Sequence, residues 1–224
     1  MIENDFFKEV ESFVFELFKS KLSPKVVYHN FMHTQQVVQA VNEIALEESV
    51  SEEDLEVLLL AAWFHDTGFT DGFENHEENS KKIADEFLQG KSFSAMKIEK
   101  VKSLIDATKM PQNPTNKNEQ IICDADLQHL GTESFIEKSN LLRSEWEQVG
   151  EKHVSDIAWL EQNEKFLNEH RYFTNYAFAK FNNQKTSNWL KVKKDLRKAI
   201  AKIEEQELKN KFKNAEIKRK KDKE

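Results

Sequence analysis

Apolar residues recur at spacings of three and four along almost the whole chain, which is the period of an amphipathic helix. The first such stripe consists of Phe6, Val10, Phe13, Val14 and Leu17. The second consists of Val37, Val38, Val41, Ile44 and Ala45. Pro24 should end the first helix, and the second is expected to end at about Glu48. No strand-like alternation persists for any length, so the pattern predicts an all-α protein.

The third predicted helix is apolar on every side. Its body, "LEVLLLAAWFHD", follows Ser51 and Asp54, which have the spacing of a capping box. A helix that is apolar all round is buried, so this segment should lie at the centre of the fold. We expect it to stop at Gly68, before a polar loop that runs to Asn75.

The second half of the chain continues the helical pattern. Helices are predicted over about 77–88, 94–108, 133–149, 154–168 and 172–181, with an apolar segment, "EQIICDADLQHLG", that ends at Gly131. From about Thr186 a Lys/Glu-rich helix carries Leu190, Leu196, Ile200 and Ile203 on one side. We therefore expect one helical domain over residues 1–185, followed by a charged helix and basic tail over 186–224.

Composition and charge narrow the function classes. The 224 residues include only 5 Gly and 3 Pro, which limits tight turns and favours helix. The net charge is −7, but eight Lys or Arg against three Asp or Glu in Lys209–Glu224 leave −12 for residues 1–208. An acidic body does not attract a polyanion, so we expect no nucleic-acid polymer as a partner. A local cationic pocket for a small phosphate compound is compatible with this charge.

Targeting signals are absent from the sequence as it stands. Cys123 is the only cysteine, which fits a reducing, cytoplasmic location. The start has acids where a secretory signal needs basic residues, and the longest apolar run, Val57–Phe64, is too short to span a bilayer. The basic end reads most simply as a solvated helix end. Two alternatives are weak contact with anionic lipid, or a linker beside a membrane if the protein continues beyond Glu224.

His65 and Asp66 end the most hydrophobic helix of the chain. A buried acid beside a buried imidazole is costly unless a partner satisfies both, and a divalent cation does so. The alternative is an Asp that caps its helix and a His that bonds a backbone carbonyl.

A second apolar segment carries Asp124 and Asp126. Because positions i and i+2 point to different faces of a helix, we expect only Asp126 to reach a shared site. Alternatively, Asp124 faces solvent and Asp126 caps or bridges helices.

The stretch "YHNFMHT" contains His29 and His33 at a spacing of four. Both rings can address one point if they share a helix face. If residues 24–30 form a loop instead, His29 can reach the same point from outside the helix while His33 is anchored on it. The alternative is that the two rings are unrelated to any metal.

Two imidazoles and two carboxylates form a mixed N/O set that suits a transition metal or Zn better than Ca. The order H, HD, D resembles the HD-domain superfamily of metal-dependent phosphohydrolases. "YHNFMHT" resembles the H-N-x-x-H of cyclic-nucleotide phosphodiesterases and of a predicted bacterial HD phosphohydrolase group. "AAWFHDTG" matches A-A-x-x-H-D-x-G, and "CDADLQHLG" resembles D-A-D-x-L-x-x-L-G with one residue fewer before the first leucine. The resemblance spans Tyr28 to Gly131.

The resemblance implies roles for individual residues. The metal ligands would be His33, His65, Asp66 and Asp126. His29 would be the proton donor to the leaving oxygen, and Asp126 could also orient the attacking water. The ion would be Mn, Fe, Co, Ni, Zn or Mg. This agrees with general chemistry, because a cation lowers the pKa of water and offsets phosphoryl charge while an imidazolium supplies a proton.

"NHEENSKKIA" resembles the element whose histidine binds a second metal in binuclear HD enzymes, which would make His76 a ligand. The next helix reads "LIDATKM" where those enzymes have another histidine. We therefore expect one tight metal and at most a weak second. Glu77 matches a recurrent acid of the bacterial group and would hold a water. The alternative for both residues is a helix N-terminus that favours acids.

Lys109 and Arg171 are candidate phosphate-binding cations, since each follows a predicted helix. His129, His153 and His170 are interpreted as surface or structural residues. The 17 Phe and 4 Trp are interpreted as ordinary helical core.

The resemblance thus implies an HD-domain helical bundle that hydrolyses a phosphate ester or anhydride, most simply of a nucleotide. The alternative is a nucleotide-sensing regulatory HD module with little turnover. The chain also resembles the N-terminal HD part of Pycsar-type proteins, in which a membrane effector module follows.

Overall fold

The computed structural model describes residues 5–150 and 153–221, with side chains up to residue 214. The described residues form nine α-helices and two short 3-10 turns, at Thr67–Thr70 and Leu127–Gly131, and contain no strand. The all-α prediction is confirmed. The helices are α1 (Asp5–Lys21), α2 (Phe31–Glu47), α3 (Glu52–Phe64), α4 (His76–Gly90), α5 (Ala95–Ala107), α6 (Lys117–Asp126), α7 (Phe135–Gly150), α8 (Asp156–Glu169) and α9 (Asn175–Lys221).

Helix α3 is the central helix of the domain, as its all-round apolar sequence predicts. Ser51 caps it by accepting a hydrogen bond from the backbone N–H of Asp54, and its hydroxyl donates to the Asp54 carboxylate. Every residue of Val57–Phe64 is buried, and α1, α2, α4, α5 and α6 all contact this helix. It ends at Phe64, earlier than predicted, because the chain turns into a 3-10 segment that contains Gly68.

Gly68 allows the start of α4 to pack directly on the end of α3. A Cβ atom at this position would lie 1.9 Å from the carbonyl oxygen of His76 and 2.6 Å from the backbone nitrogen of Ser80. The Ser80 hydroxyl accepts from the Gly68 N–H at 2.8 Å and donates to the His65 carbonyl at 2.6 Å. The glycine and the serine together fix the backbone of the His65-Asp66 turn.

The variant Gly68→Ala should therefore lose about 2–3 kcal/mol of unfolding free energy, because the backbone atoms around the new methyl group must move apart. Urea denaturation monitored by circular dichroism measures the loss. Gly90→Ala is the matched control, since a Cβ there meets no atom within 4 Å. Equal denaturation midpoints for the two variants would contradict the packing argument.

Two separate helices, one ending at about Phe181 and one starting at about Thr186, were expected here, but α9 is continuous from Asn175 to Lys221, so that separation is wrong. Polar residues in and just after the expected gap are buried against the domain. The Asn188 amide donates to the carbonyls of Leu130 and Thr132, at 2.9 and 2.8 Å, and Lys185 is also buried. Val192 joins a small second core with Leu130. The division at residue 185 stays a prediction.

The later part of α9 extends away from the domain. All residues from Ile200 to residue 214 are exposed, including the apolar Ile203, Leu208 and Phe212. The side chains of the basic tail from residue 215 onward lie outside the described residues, so its suggested lipid contact stays a prediction. Within the described ranges, no helix combines the length and hydrophobicity needed to cross a bilayer.

Candidate metal centre and cavity

His65 and Asp66 directly follow the C-terminal end of α3, and both side chains are buried. The Nδ1–H of His65 donates to the carbonyl oxygen of Ala62 at 2.8 Å. This bond places the proton on Nδ1 and leaves the Nε2 lone pair free, which is the usual arrangement of a metal-binding imidazole. Nε2 lies 3.1 Å from Oδ2 of Asp66.

His33 reaches the same point from the first turn of α2. Asn30 caps this helix by accepting from the backbone N–H groups of Met32 and His33. The His33 ring is buried, and its Nε2 lies 3.3 Å from Oδ2 of Asp66 and 3.5 Å from Oδ1 of Asp126. The N-cap therefore fixes where the helix begins and which way His33 points.

Asp126 comes to the cluster from the last turn of α6. Its Oδ1 lies 3.7 Å from Nε2 of His65, while its Oδ2 accepts a hydrogen bond from the Gln112 amide at 3.1 Å. Gln112 thereby orients one carboxylate oxygen toward the two histidines. Nothing in the loop sequence "KMPQNPTNKN" distinguishes this glutamine from its polar neighbours, so Gln112 was not predicted as a site residue.

Asp124 points to the opposite side of α6 and does not reach the cluster. The alternative that it faces solvent is wrong, because it is fully buried. Its carboxylate accepts from the backbone N–H groups of Phe173 and Thr174 and from the Thr174 hydroxyl, at 2.7 to 2.9 Å. Asp124 therefore holds the segment that leads into α9.

Asp124→Asn should lower the free energy of unfolding by about 2 kcal/mol. The NH₂ group of the new amide would face N–H and O–H groups that now donate to the carboxylate, and two donors cannot form a hydrogen bond with each other. The comparison variant is Asp71→Asn, an exposed position. Both can be measured by urea denaturation, and metal content should be unchanged in each. If the free energy of unfolding is unchanged in Asp124→Asn, these three hydrogen bonds contribute little to stability.

The donor atoms of the cluster fit a metal ion. Nε2 of His33, Nε2 of His65 and Oδ2 of Asp66 are buried and have no hydrogen-bond partner within the described structure. One donor atom from each of these residues lies within 4.8 Å of the others. Buried polar atoms without partners are costly, and a divalent cation would satisfy all three at once. A mixed N/O set of this kind suits Mn, Fe, Co, Ni or Zn.

The protonation of the cluster is consistent with this interpretation. Burial alone would lower the pKa of His65, but the charge of Asp66 outweighs it and raises the pKa to about 9. The pKa of Asp66 is held below its ordinary value against burial, chiefly by the charge of His65. A cation that binds here takes the place of the protons on the imidazoles.

His29 lies outside α2, in the loop before the Asn30 cap, which is the second of the two arrangements considered from the sequence. Its ring Nδ1 is hydrogen bonded to Oε1 of Glu145, a fully buried residue of α7. The other oxygen of Glu145 accepts from the backbone N–H groups of Tyr28 and His29 at 2.7 and 3.1 Å. Burial tends to raise the pKa of Glu145, but these bonds outweigh it and lower the pKa, so the residue is ionised at neutral pH.

His76 and Glu77 begin α4 and lie beside the cluster. Nε2 of His76 is 3.9 Å from Oδ1 of Asp66 and 3.6 Å from Oε1 of Glu77. The Phe69 ring stacks on both imidazoles, with its ring centroid 4.3 Å from that of His29 and 4.0 Å from that of His76. His76 is thus near enough to Asp66 for a shared site, and its role as a second metal ligand stays a prediction.

A cavity of about 580 Å³ opens onto this centre. Its lining includes Asp66, Asp126, His29, His76 and Glu77 of the predicted site, together with Lys109. The remaining lining residues are mostly apolar or aromatic: Tyr28, Phe69, Phe73, Thr108, Met110, Leu127, His129, Leu142, Trp146, Trp159, Gln162, Asn163 and Phe166.

The other predicted cation and histidines lie elsewhere or have structural roles. Arg171 does not line the cavity, and its guanidinium donates to the carbonyls of Asn168 and His170. His129 lines the cavity, but burial lowers its pKa to about 3, and the neutral ring is hydrogen bonded to the Tyr28 hydroxyl. His153 is exposed.

Comparison with known proteins agrees with this arrangement. The family model described as the HD domain matches residues 30–130, which include His33, His65, Asp66 and Asp126. Residues 30–130 are an HD domain. No curated protein matches the chain significantly in sequence.

Two crystal structures share the fold over most of their length. A predicted HD superfamily hydrolase from an uncultured Thermotogales bacterium superposes with a TM-score of 0.55 at 19% identity, over 88% of this chain and 92% of that one. A Lactobacillus plantarum protein superposes with a TM-score of 0.65 at 15% identity, over 90% and 98%. Both likenesses extend beyond residues 30–130, because each covers 88% or more of this chain.

Proposed function

We propose that the protein hydrolyses a phosphate ester or anhydride of a nucleotide with the help of a divalent metal. The observation that carries the proposal is the convergence of His33, His65 and Asp66 through buried atoms that lack other partners, beside a cavity of ligand size. Asp66 and Asp126 belong both to the cluster and to the cavity lining, so a bound phosphoryl group can meet the centre.

The residues have separate tasks in this proposal. His33, His65, Asp66 and Asp126 would hold the cation. When bound, it would stabilise charge on the phosphoryl oxygens and lower the pKa of water. Nδ1 of the His29 ring is bonded to Glu145, so Nε2, the other ring nitrogen, faces the leaving oxygen and donates a proton to it.

The remaining residues of the cavity support this chemistry. Glu77 accepts a hydrogen bond from the attacking water, and Lys109 contributes a positive charge to bind the phosphate. The apolar lining excludes bulk water, which strengthens the interactions of these charged groups with the substrate.

A nucleotide panel tests the proposal. Metal-loaded protein is incubated with mono-, di- and triphosphates and with cyclic nucleotides, and both released product and retained ligand are quantified. Catalytic turnover of at least one compound is expected, and it should stop when a chelator removes the metal. Tight retention of a nucleotide with no product would instead support the sensing alternative.

A further inference from the structure

The cavity has an aromatic wall that comes from α7 and α8, outside the HD-domain match. Trp146 and Trp159 meet edge to face, with ring centroids 5.5 Å apart and planes at 86°. Trp159 is buried, whereas Trp146 is 41% exposed. A large indole that is half exposed and lines a cavity leaves apolar surface available for a ligand.

This wall is held rigidly. The indole N–H of Trp159 donates to the Ser139 hydroxyl at 3.1 Å, and that hydroxyl donates to the Asn163 side chain at 2.9 Å. The Asn163 amide in turn donates to the carbonyl of Trp159 at 2.8 Å. The closed set of bonds fixes Trp159, which packs edge to face against Trp146. A ligand ring that stacks here meets a preorganised surface.

The charges in the cavity limit how many phosphates a ligand can carry. Apart from histidines, the described lining contains one cationic side chain, Lys109, and three carboxylates, Asp66, Glu77 and Asp126. A divalent cation in the cluster would offset two of those negative charges. A single phosphoryl group then has the metal and Lys109 as partners, but the further phosphates of a triphosphate would lie in an apolar or acidic lining without counter-charges.

Resting on the hydrolase function proposed above, we infer that the substrate carries one phosphoryl group and an uncharged planar ring, and that Trp146 determines specificity by stacking on that ring. The substrate is then a phosphate mono- or diester such as a nucleoside monophosphate or its cyclic form. In its hydrolysis a bond forms between phosphorus and the water oxygen, and the bond from phosphorus to the ester oxygen breaks. The ester oxygen leaves with the proton from His29, and the proton of the attacking water passes to the carboxylate of Glu77.

The test compares ligands that differ only in the ring or in the phosphate number. Adenosine 5′-monophosphate, ribose 5-phosphate and adenosine triphosphate are titrated against metal-loaded protein, with Trp fluorescence and product release as parallel readouts. Adenosine monophosphate should quench the fluorescence and bind at least tenfold more tightly than the other two. In Trp146→Ala, the KM and the Kd for adenosine monophosphate should rise about 5- to 150-fold. This corresponds to the 1–3 kcal/mol typical of one base stacked on an aromatic side chain.

Two further variants control for folding and for the fluorescence signal. Trp146→Phe retains an aromatic face and should restore most of the affinity. Trp189→Phe removes a tryptophan whose indole N–H bonds to Glu164 and which does not line the cavity, so both affinity and quenching should be retained. The KM for ribose 5-phosphate should be the same in all of these variants.

The outcomes separate this inference from the proposed function. Absence of turnover with every ester would overturn the hydrolase function, and quenching by adenosine monophosphate would then still decide whether Trp146 binds a ring. Turnover of ribose 5-phosphate or of the triphosphate as efficient as that of the monophosphate would overturn the inference alone. So would a Trp146→Ala variant with unchanged KM and Kd.

Discussion

Asp66→Asn should abolish stoichiometric metal binding and reduce turnover by on the order of 10³ or more, because a metal supplies several kcal/mol of transition-state stabilisation. Oδ2 of Asp66 lies within 3.3 Å of Nε2 in both His33 and His65, so the substitution affects the shared point of the cluster. An amide of the same size keeps the packing but replaces a charged ligand with a neutral and weaker one. Elemental analysis and turnover, measured on the same preparation, test both parts.

His65→Ala serves as a second variant of the same centre and should lose metal to a similar degree. The control is His153→Ala, because His153 is exposed and lies outside the cavity. Thermal unfolding in the presence of chelator shows whether each variant is folded. A folded Asp66→Asn protein that retains one tightly bound metal and full turnover would rule out the proposed centre.

Glu145→Gln should lower kcat by about 10- to 100-fold while metal content stays unchanged, the range typical of residues that orient a functional group through a hydrogen bond. The carboxylate of Glu145 bonds the His29 ring and two backbone N–H groups, and no single amide can accept all three. His29 would then lose the hydrogen bond that orients its ring.

The choice of leaving group separates this role from a purely structural one. An ester with an acidic leaving group, such as p-nitrophenol, needs little protonation, so its turnover should be reduced less than that of an alkyl ester. A structural defect would slow both substrates equally. Glu147→Gln, on the same helix and paired with Arg143, is the control and should leave kcat unchanged.

The effect of Glu145→Gln on the free energy of unfolding should depend on pH. Because the folded-state pKa of Glu145 is depressed, its contribution to stability is present above the unfolded value of about 4.3 and is lost as the pH falls through the folded value. The difference in unfolding free energy between wild type and Glu145→Gln should therefore shrink as the pH falls below about 4. A difference independent of pH would mean that the ionised form makes no special contribution.

The parts of the structure that sequence reasoning predicted depend on local patterns. The eight consecutive apolar residues Val57–Phe64 predict a buried helix whatever their partners are, and His65 and Asp66 are part of the same segment. Ser51 caps the N–H group of Asp54, only three positions away, so the start of α3 is set locally. These short-range features place most of the candidate metal ligands.

The parts that were missed depend on long-range contacts. Glu145 is separated from His29 by 116 positions, and its own helix reads as an ordinary polar surface, so no local signal identifies it. Trp146 was interpreted as core from composition, although composition does not tell a buried indole from one that lines a cavity. The continuity of α9 depends on Asn188, whose anchoring partners are almost 60 residues away.

The two aspartates of α6 also constrain how this protein can evolve. Side chains two positions apart on an α-helix point in directions that differ by about 200°. Asp126 therefore faces the metal centre, while Asp124 faces the segment that leads into α9. Inserting or deleting one residue between them would rotate either carboxylate by about 100°. Changes of length at this point should therefore be eliminated by selection, since each would damage the chemistry or the attachment of the last helix.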